Sequence, residues 1–372
     1  MNTAITEEQT MLQDSVKKFV ENELNLEKVR ELFDEPNGLT DELWNAIAEQ
    51  GWLGILVPEE NGGMGMGVQE LAVVCEELGR GVVPGPFLST VLAAHLIALA
   101  GTDAAKQAWL ENIVAGQARA TLALIEDTPE INLSQIGTKA VKDNGGYLLN
   151  GKKLLVADAL GANVFVVAAR KEDGALAFFL VDRSAGGVTV KENKLRDLTA
   201  RSGNIYLENV SVDADAVMDS GAEEAYQKVL NVANVCIAAD CLGGADYIHK
   251  LTVAYAKERT QFGTLIGSFQ AVKHPLVDLF AQIESARSAN GYAAWAVDAD
   301  VDDVNTAAAV ARNTGTQAYR DTTNVCLQAH GGIAFTWEYD LHIFLKRAKH
   351  NQFLYGSSSD ADETICREAL GI

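Results

Sequence analysis

Two segments near the C-terminus carry residue types that could do chemistry together. The first reads Glu258-Arg259-Thr260-Gln261-Phe262-Gly263-Thr264-Leu265-Ile266-Gly267-Ser268-Phe269-Gln270. The second reads Gln328-Ala329-His330-Gly331-Gly332-Ile333-Ala334-Phe335-Thr336-Trp337-Glu338. Each sets a polar hydrogen-bonding group beside glycines and an aromatic residue at a helix end. Arg259 could pair with a phosphate, and Gly331-Gly332 would let backbone approach a ligand closely. The same residues would serve for a surface ion pair and a helix stop, and physics alone leaves both readings open.

Other chemistries have no foothold. The histidines (His95, His249, His274, His330, His342, His350) show no HExxH or other metal spacing, and neither GxSxG nor a P-loop occurs. The run Gly62-Gly63-Met64-Gly65-Met66-Gly67 follows no strand and opens no βαβ unit, so it reads as a turn rather than a dinucleotide fingerprint. Cys75, Cys236, Cys241, Cys326 and Cys366 lack CxxC spacing and mostly sit in apolar runs, as expected for reduced, buried thiols.

The elements that must position these segments fall into three zones, which predict an α+β chain of three domains. Helical spacing runs through the first zone, residues 1–117. Residues 118–221 carry short strands separated by turn residues, the pattern of an antiparallel barrel or sandwich. Within that zone Asn150-Gly151 predicts a hairpin turn, and Asp173-Gly174 predicts another. Residues 222–372 return to long helices, one with the apolar stripe Val272, Leu276, Leu279, Phe280, Ile283 and Ala286, the next spanning 307–329.

The chain has 372 residues, 48% hydrophobic and 22% charged, with a net charge of −21. That acidic balance argues against nucleic acid, whose phosphates need a surplus of Lys and Arg, and against anionic lipid. No run approaches the ~18 apolar residues of a membrane span. Acidic residues at Glu7, Glu8 and Asp14 do not fit a signal peptide, so a cytoplasmic protein is expected.

With these motifs, their separation and the α–β–α order, the whole chain resembles the acyl-CoA dehydrogenase family. The resemblance implies an N-terminal helical domain, a middle β-domain and a C-terminal four-helix bundle that drives oligomerisation, with non-covalent FAD. It further implies that Arg259 contacts the FAD pyrophosphate, with Gln261 and Phe262 lining the same site and Gln270 near the adenine end. Gln328, Gly331 and Gly332 would hold the cofactor from a neighbouring subunit. Ser357 falls where the family has a FAD-contacting threonine.

The departures from the family are concentrated in one half of the site. The glutamate that removes the substrate α-proton belongs in a segment that reads Leu354-Tyr355-Gly356-Ser357, so Tyr355 replaces it. Its alternative position falls on Ala233, followed by Asn234 in place of an arginine. A tyrosine with a pKa near ~10 is a poor base at neutral pH and alanine is none. The segment that cradles flavin and acyl chain corresponds to residues 125–132, where only Glu126 survives, and Leu155 and Ala157 replace a Trp and a Thr near the flavin ring.

The resemblance therefore implies α,β-dehydrogenation of an acyl-CoA thioester, with this chain as the degenerate subunit of an α2β2 complex. Thr336-Trp337-Glu338 and Asp197-Leu198-Thr199 are worded like that branch of the family, some of whose members act on bulky thioesters from steroid side chains or rings. An electron-transfer flavoprotein is the expected electron acceptor. The alternatives are a self-sufficient homotetramer with its base relocated to Asp240, Asp360, Asp362 or Glu363, and a flavin-free scaffold.

Overall fold

The computed structural model describes residues 5–127, 131 and 133–371. The first zone folds as helices α1 (Glu7–Glu23), α2 (Leu26–Glu31), α3 (Asp41–Glu49), α4 (Val68–Arg80), α5 (Phe87–Ala100) and α6 (Asp103–Val114). Thr6 starts α1 through a capping box, its hydroxyl accepting from the Gln9 N–H while the Gln9 side chain accepts from the Thr6 N–H. The glycine run at 62–67 forms the turn before α4, and α5 is a buried core helix.

The middle zone holds β1 (Ala120–Ala123), β2 (Lys139–Asp143), β3 (Gly146–Ala157), β4 (Val164–Lys171), β5 (Leu176–Asp182), β6 (Val188–Glu192), β7 (Ser202–Val212) and β8 (Val217–Met218). They form one eight-stranded sheet in the order β6-β7-β3-β2-β4-β5-β8, with β1 alongside β4. The sheet is mixed rather than purely antiparallel, because β1 and β2 both pair with β4 in parallel. In β4, Val164, Val166 and Ala168 join the helical core while Phe165, Val167 and Ala169 join a second core that the sheet encloses. Burial of both faces explains why this strand reads as a continuous apolar run.

One expected hairpin is misplaced. Asn150-Gly151 is not a turn: it lies inside the continuous strand β3, at a bulge where pairing with β7 shifts between Leu149 and Gly151. A Cβ on Gly151 would come 2.5 Å from Thr138 Oγ1, so the glycine there serves close packing. The turn between β2 and β3 is Asn144-Gly145, whose φ angles of 44° and 88° suit a two-residue hairpin. The Asp173-Gly174 turn does join β4 to β5.

The last zone comprises α7 (Ala222–Glu258), a hairpin of β9 (Thr260–Gln261) and β10 (Thr264–Leu265), then α8 (Gln270–Ala299), α9 (Val304–His330), α10 (Leu341–Asn351) and α11 (Ser358–Leu370). By length and hydropathy α7 could cross a membrane, but 83% of its apolar window is buried inside the bundle, as in a core helix. Helix α4 docks on α7 where both backbones nearly touch: a Cβ on Gly243 would lie 1.8 Å from the Glu76 carbonyl. Around that crossing Arg80 pairs with Glu77 at 2.9 Å and with Asp246, and Arg287 of α8 pairs with Glu76. Four cysteines are buried and Cys366 is exposed, all as free thiols.

Candidate functional site

Helices α7 and α9 run parallel, each antiparallel to the intervening α8, so their C-terminal ends lie at the same end of the bundle. Stacking of Tyr255 on His330, with ring centroids 4.2 Å apart, ties these ends together. Arg259 caps α7 in extended conformation, its N–H donating to the Tyr255 carbonyl at 2.8 Å. The chain then turns through Phe262 and Gly263, at φ 53° and 79°, into the β9–β10 hairpin. Phe262 is 93% exposed. Gln270 opens α8 at this end, with Val272 and Lys273 N–H both donating to the carbonyl of the N-cap Phe269 at 3.0 Å.

Gly331 stops α9 at φ 67° and ψ −144°, a conformation that glycine alone adopts readily. Arg259, Gln261, Phe262, Gln270, Gln328, Gly331 and Gly332 are thus brought to one end of the bundle. All but the half-buried Gly331 are exposed, and Arg259 has no ion-pair partner among the described residues. A free guanidinium, open glycine backbone and the positive end of a helix dipole together suit a phosphate.

Ser357 does not join them. It caps α11, its hydroxyl accepting from the Asp360 N–H at 3.3 Å while Asp360 accepts from the Ser357 N–H at 2.7 Å. The turn preceding it is anchored on α9 at Arg312, whose Nη2 donates to the carbonyls of Asn351, Leu354 and Gly356 at 2.8–2.9 Å. From Arg312 to Gly331 is nineteen residues of helix, about 28 Å. One chain cannot bring both groups to the same pyrophosphate.

Tyr355 sits in that turn at φ 53° and is 8% exposed. Burial raises the pKa of its phenol further, with the Asp158 charge adding to the effect. The hydroxyl lies near Thr121 without a well-formed hydrogen bond among the described residues. Tyr355 borders three cavities, the smallest of them, about 60 Å³, lying toward Tyr226 and Asp360. One, of about 410 Å³, lies between the sheet and the α10–α11 turn, with Leu122, Leu124, Leu155, Ala157 and Phe353 in its wall. Another, of about 80 Å³, lies between α4, α5, α7 and the sheet, and carries Asp158, Asp240, Arg201 and Arg347.

None of the proposed substitute bases is free. Asp240 is half-buried, 3.2 Å from Arg347, and accepts from Asn351 Nδ2 at 2.5 Å. Burial pushes its pKa up, against the pull of Arg347. Arg347 also approaches Asp197 at 3.3 Å and donates to Thr199 Oγ1 and the Val83 carbonyl. Asp360 is used in the α11 cap, Asp362 accepts from Asn313 at 2.5 Å, and Glu363 pairs with Arg367 at 2.6 Å. Ala233 is buried in α7.

Glu126 has a structural task, accepting from Lys153 Nζ and Thr138 Oγ1, both at 2.6 Å. Of the segment around it, Thr128, Pro129, Glu130 and Asn132 lie outside the described residues. Leu155 and Ala157 do line the larger cavity. Arg201, beside them, is saturated by backbone carbonyls, among them those of Glu35, Leu32 and Leu198.

Several residues here carry no mark in the sequence alone. Asp158 accepts from Ser89 Oγ at 2.7 Å, and burial raises its pKa to about 6. Arg312 is fully buried and, among the described residues, has no carboxylate partner and no acceptor for its Nε and Nη1; burial lowers its pKa to about 10. The available signal for Arg312 is its place on the small-residue stripe Ala308, Ala311, Gly315 of α9, a face that must be buried.

Comparison with known proteins agrees with this architecture. Residues 6–117, 121–210 and 219–370 match the N-terminal, middle and C-terminal domains of acyl-CoA dehydrogenase. The chain belongs to the acyl-CoA dehydrogenase family, FAD-dependent oxidoreductases acting on acyl-CoA. It is 32% identical to acyl-CoA dehydrogenase IpdE2 of Mycolicibacterium smegmatis, covering 95% of this chain and 96% of that one. The structure of the ChsE4-ChsE5 complex from Mycobacterium tuberculosis matches with TM-score 0.90 and 28% identity over the full length of both chains. A variant of the Tcur3481-Tcur3483 steroid ACAD matches with TM-score 0.89 and 31% identity over 99% of each chain.

Proposed function

We propose that this chain is one subunit of a two-chain acyl-CoA dehydrogenase, contributing to a neighbour's FAD site while lacking the base for its own. The observation that carries the reading is Tyr355: a buried, neutral phenol stands where the resemblance expects the glutamate, and each nearby substitute carboxylate is engaged elsewhere. The approximately 28 Å along α9 between the Arg259 cluster and Ser357 also favours a site built from two chains.

The residues fit the cofactor unequally. At the bundle end, Arg259 would hold the pyrophosphate with Gln261 and Phe262 beside it, Gln270 would lie toward the adenine, and Gln328, Gly331 and Gly332 would close over the cofactor. At the chain's own larger cavity the wall is leucine-rich, and Arg201 has spent its donors on backbone. When bound, FAD supplies the hydride acceptor. The partner chain supplies the base, since an α C–H of a thioester needs a positioned carboxylate to remove its proton.

The likeness to the ChsE4-ChsE5 and Tcur3481-Tcur3483 structures supports a partner homologous to this chain. The acyl group on this reading is bulky and ring-derived, in keeping with the wording of residues 336–338 and with the 31% identity to a steroid ACAD. An electron-transfer flavoprotein is the electron acceptor. The test is Arg259→Ala in this chain of the purified complex. Loss of flavin with assembly intact supports the reading; full flavin content contradicts it.

A further inference from the structure

The geometry points to Tyr355 as the residue that closes this chain's own acyl cavity, so that its shape as well as its missing carboxylate excludes an acyl-CoA. The inference rests on the subunit role proposed above and adds a specificity-determining residue to it.

Three observations carry it. First, Tyr355 lines both the 410 Å³ and the 80 Å³ cavities, and it is the one aromatic phenol among the residues they share, the others being Ala157, Arg201, His350 and Leu354. Second, the smaller cavity is far below the roughly 300 Å³ at which ligand pockets begin, with room for only a few waters. Its charged groups Asp158, Asp240, Arg201 and Arg347 belong to polar networks that an acyl chain could not satisfy.

Third, the ring is held inward. Tyr355 occupies left-handed backbone at φ 53°, which is unfavourable for a non-glycine residue, and the flanking carbonyls of Leu354 and Gly356 are fixed by Arg312. Arg312 thus acts as a positioning residue for the turn. The backbone on both sides of Tyr355 is thereby fixed, which sets where its buried ring emerges from the turn. Among the described residues the hydroxyl makes no well-formed bond, so ring volume is what matters.

The test counts octanoyl-CoA sites by calorimetric titration of the complex with its partner chain. Tyr355→Gly suits the left-handed backbone and should raise the number of sites by one per copy of this chain. Tyr355→Phe should leave it unchanged. An unchanged count in an assembled Tyr355→Gly complex overturns the proposal. Wild-type protein that binds one octanoyl-CoA per copy when purified without a partner overturns the subunit reading instead. Should the glycine variant not assemble, crystals of the wild-type complex soaked in octanoyl-CoA decide. The proposal requires no acyl density between Tyr355 and Asp158, and density there refutes it.

Discussion

Asp158 offers a quantitative test of how the interior is built. Its carboxyl is held at about 6 in the folded chain against 3.8 for an unburied aspartate, with desolvation as the main cause and Ser89, Arg201 and Arg347 opposing it. Because the folded value is raised, the carboxyl is tolerated below pH 3.8 and its burden grows as pH rises through 6. Above that point, ionised Asp158 costs at most roughly 3 kcal/mol. The figure is an upper bound, since what exposure the side chain has faces the water-sized cavity. Asp158→Asn removes the charge, keeps an acceptor for Ser89, and suits the left-handed φ of 54°. At about 2.1 cal/mol/K per residue of unfolding entropy, the melting temperature should rise by up to about 4 °C at pH 8 and by about half as much at pH 5. Differential scanning calorimetry at the two pH values reads this directly. An equal shift at both, or a fall at pH 8, refutes the account of Asp158 as a carboxyl whose desolvation outweighs its partners.

Other outcomes follow from particular contacts. Arg312→Met leaves three carbonyls of the α10–α11 turn without their donor and should destabilise by about 2–4 kcal/mol, with Arg312→Lys recovering part, as urea unfolding would report. Gly243→Ala drives a methyl into the Glu76 carbonyl and should cost about 3 kcal/mol or more through separation of α4 from α7, visible as faster proteolysis of the first zone. Gly145→Ala, at φ 88°, should cost about 1 kcal/mol of stability, read from the urea midpoint.

The helices and most strands were legible because their burial has a period. The stripe on α8 is written in residue order, although Phe280 within it is 54% exposed, the apolar run of β4 marks a strand buried on both faces, and Thr6 and Asp173-Gly174 mark ends through local chemistry. The misread turn at Asn150-Gly151 shows the limit of that reasoning. The dipeptide Asn-Gly suits a type I′ turn, but it also suits a bulge, and only packing against Thr138 separates the two. The parallel pairing of β1 and β2 with β4 is likewise a long-range choice with no local mark.

The candidate site divides in the same way. The Arg259 and Gln328–Gly332 segments announce themselves as motifs at helix ends. Asp158, Arg347 and Arg312 do not, because a buried charge is identified by its partners, and those partners come from other elements. Arg347, for instance, is fixed by Asp240 of α7 and by Asp197 and Thr199 of the loop between β6 and β7. The departures at Tyr355 and Leu155 were visible only against the family pattern.

The central claim is that this chain lends half a site and lacks the other half. Flavin per copy of this chain, from absorbance and subunit mass on protein affinity-purified from its own host, tests it most directly. The account predicts about one FAD per pair of chains, with a second homologous chain co-purifying. One FAD per copy in an assembly of this chain alone would contradict it.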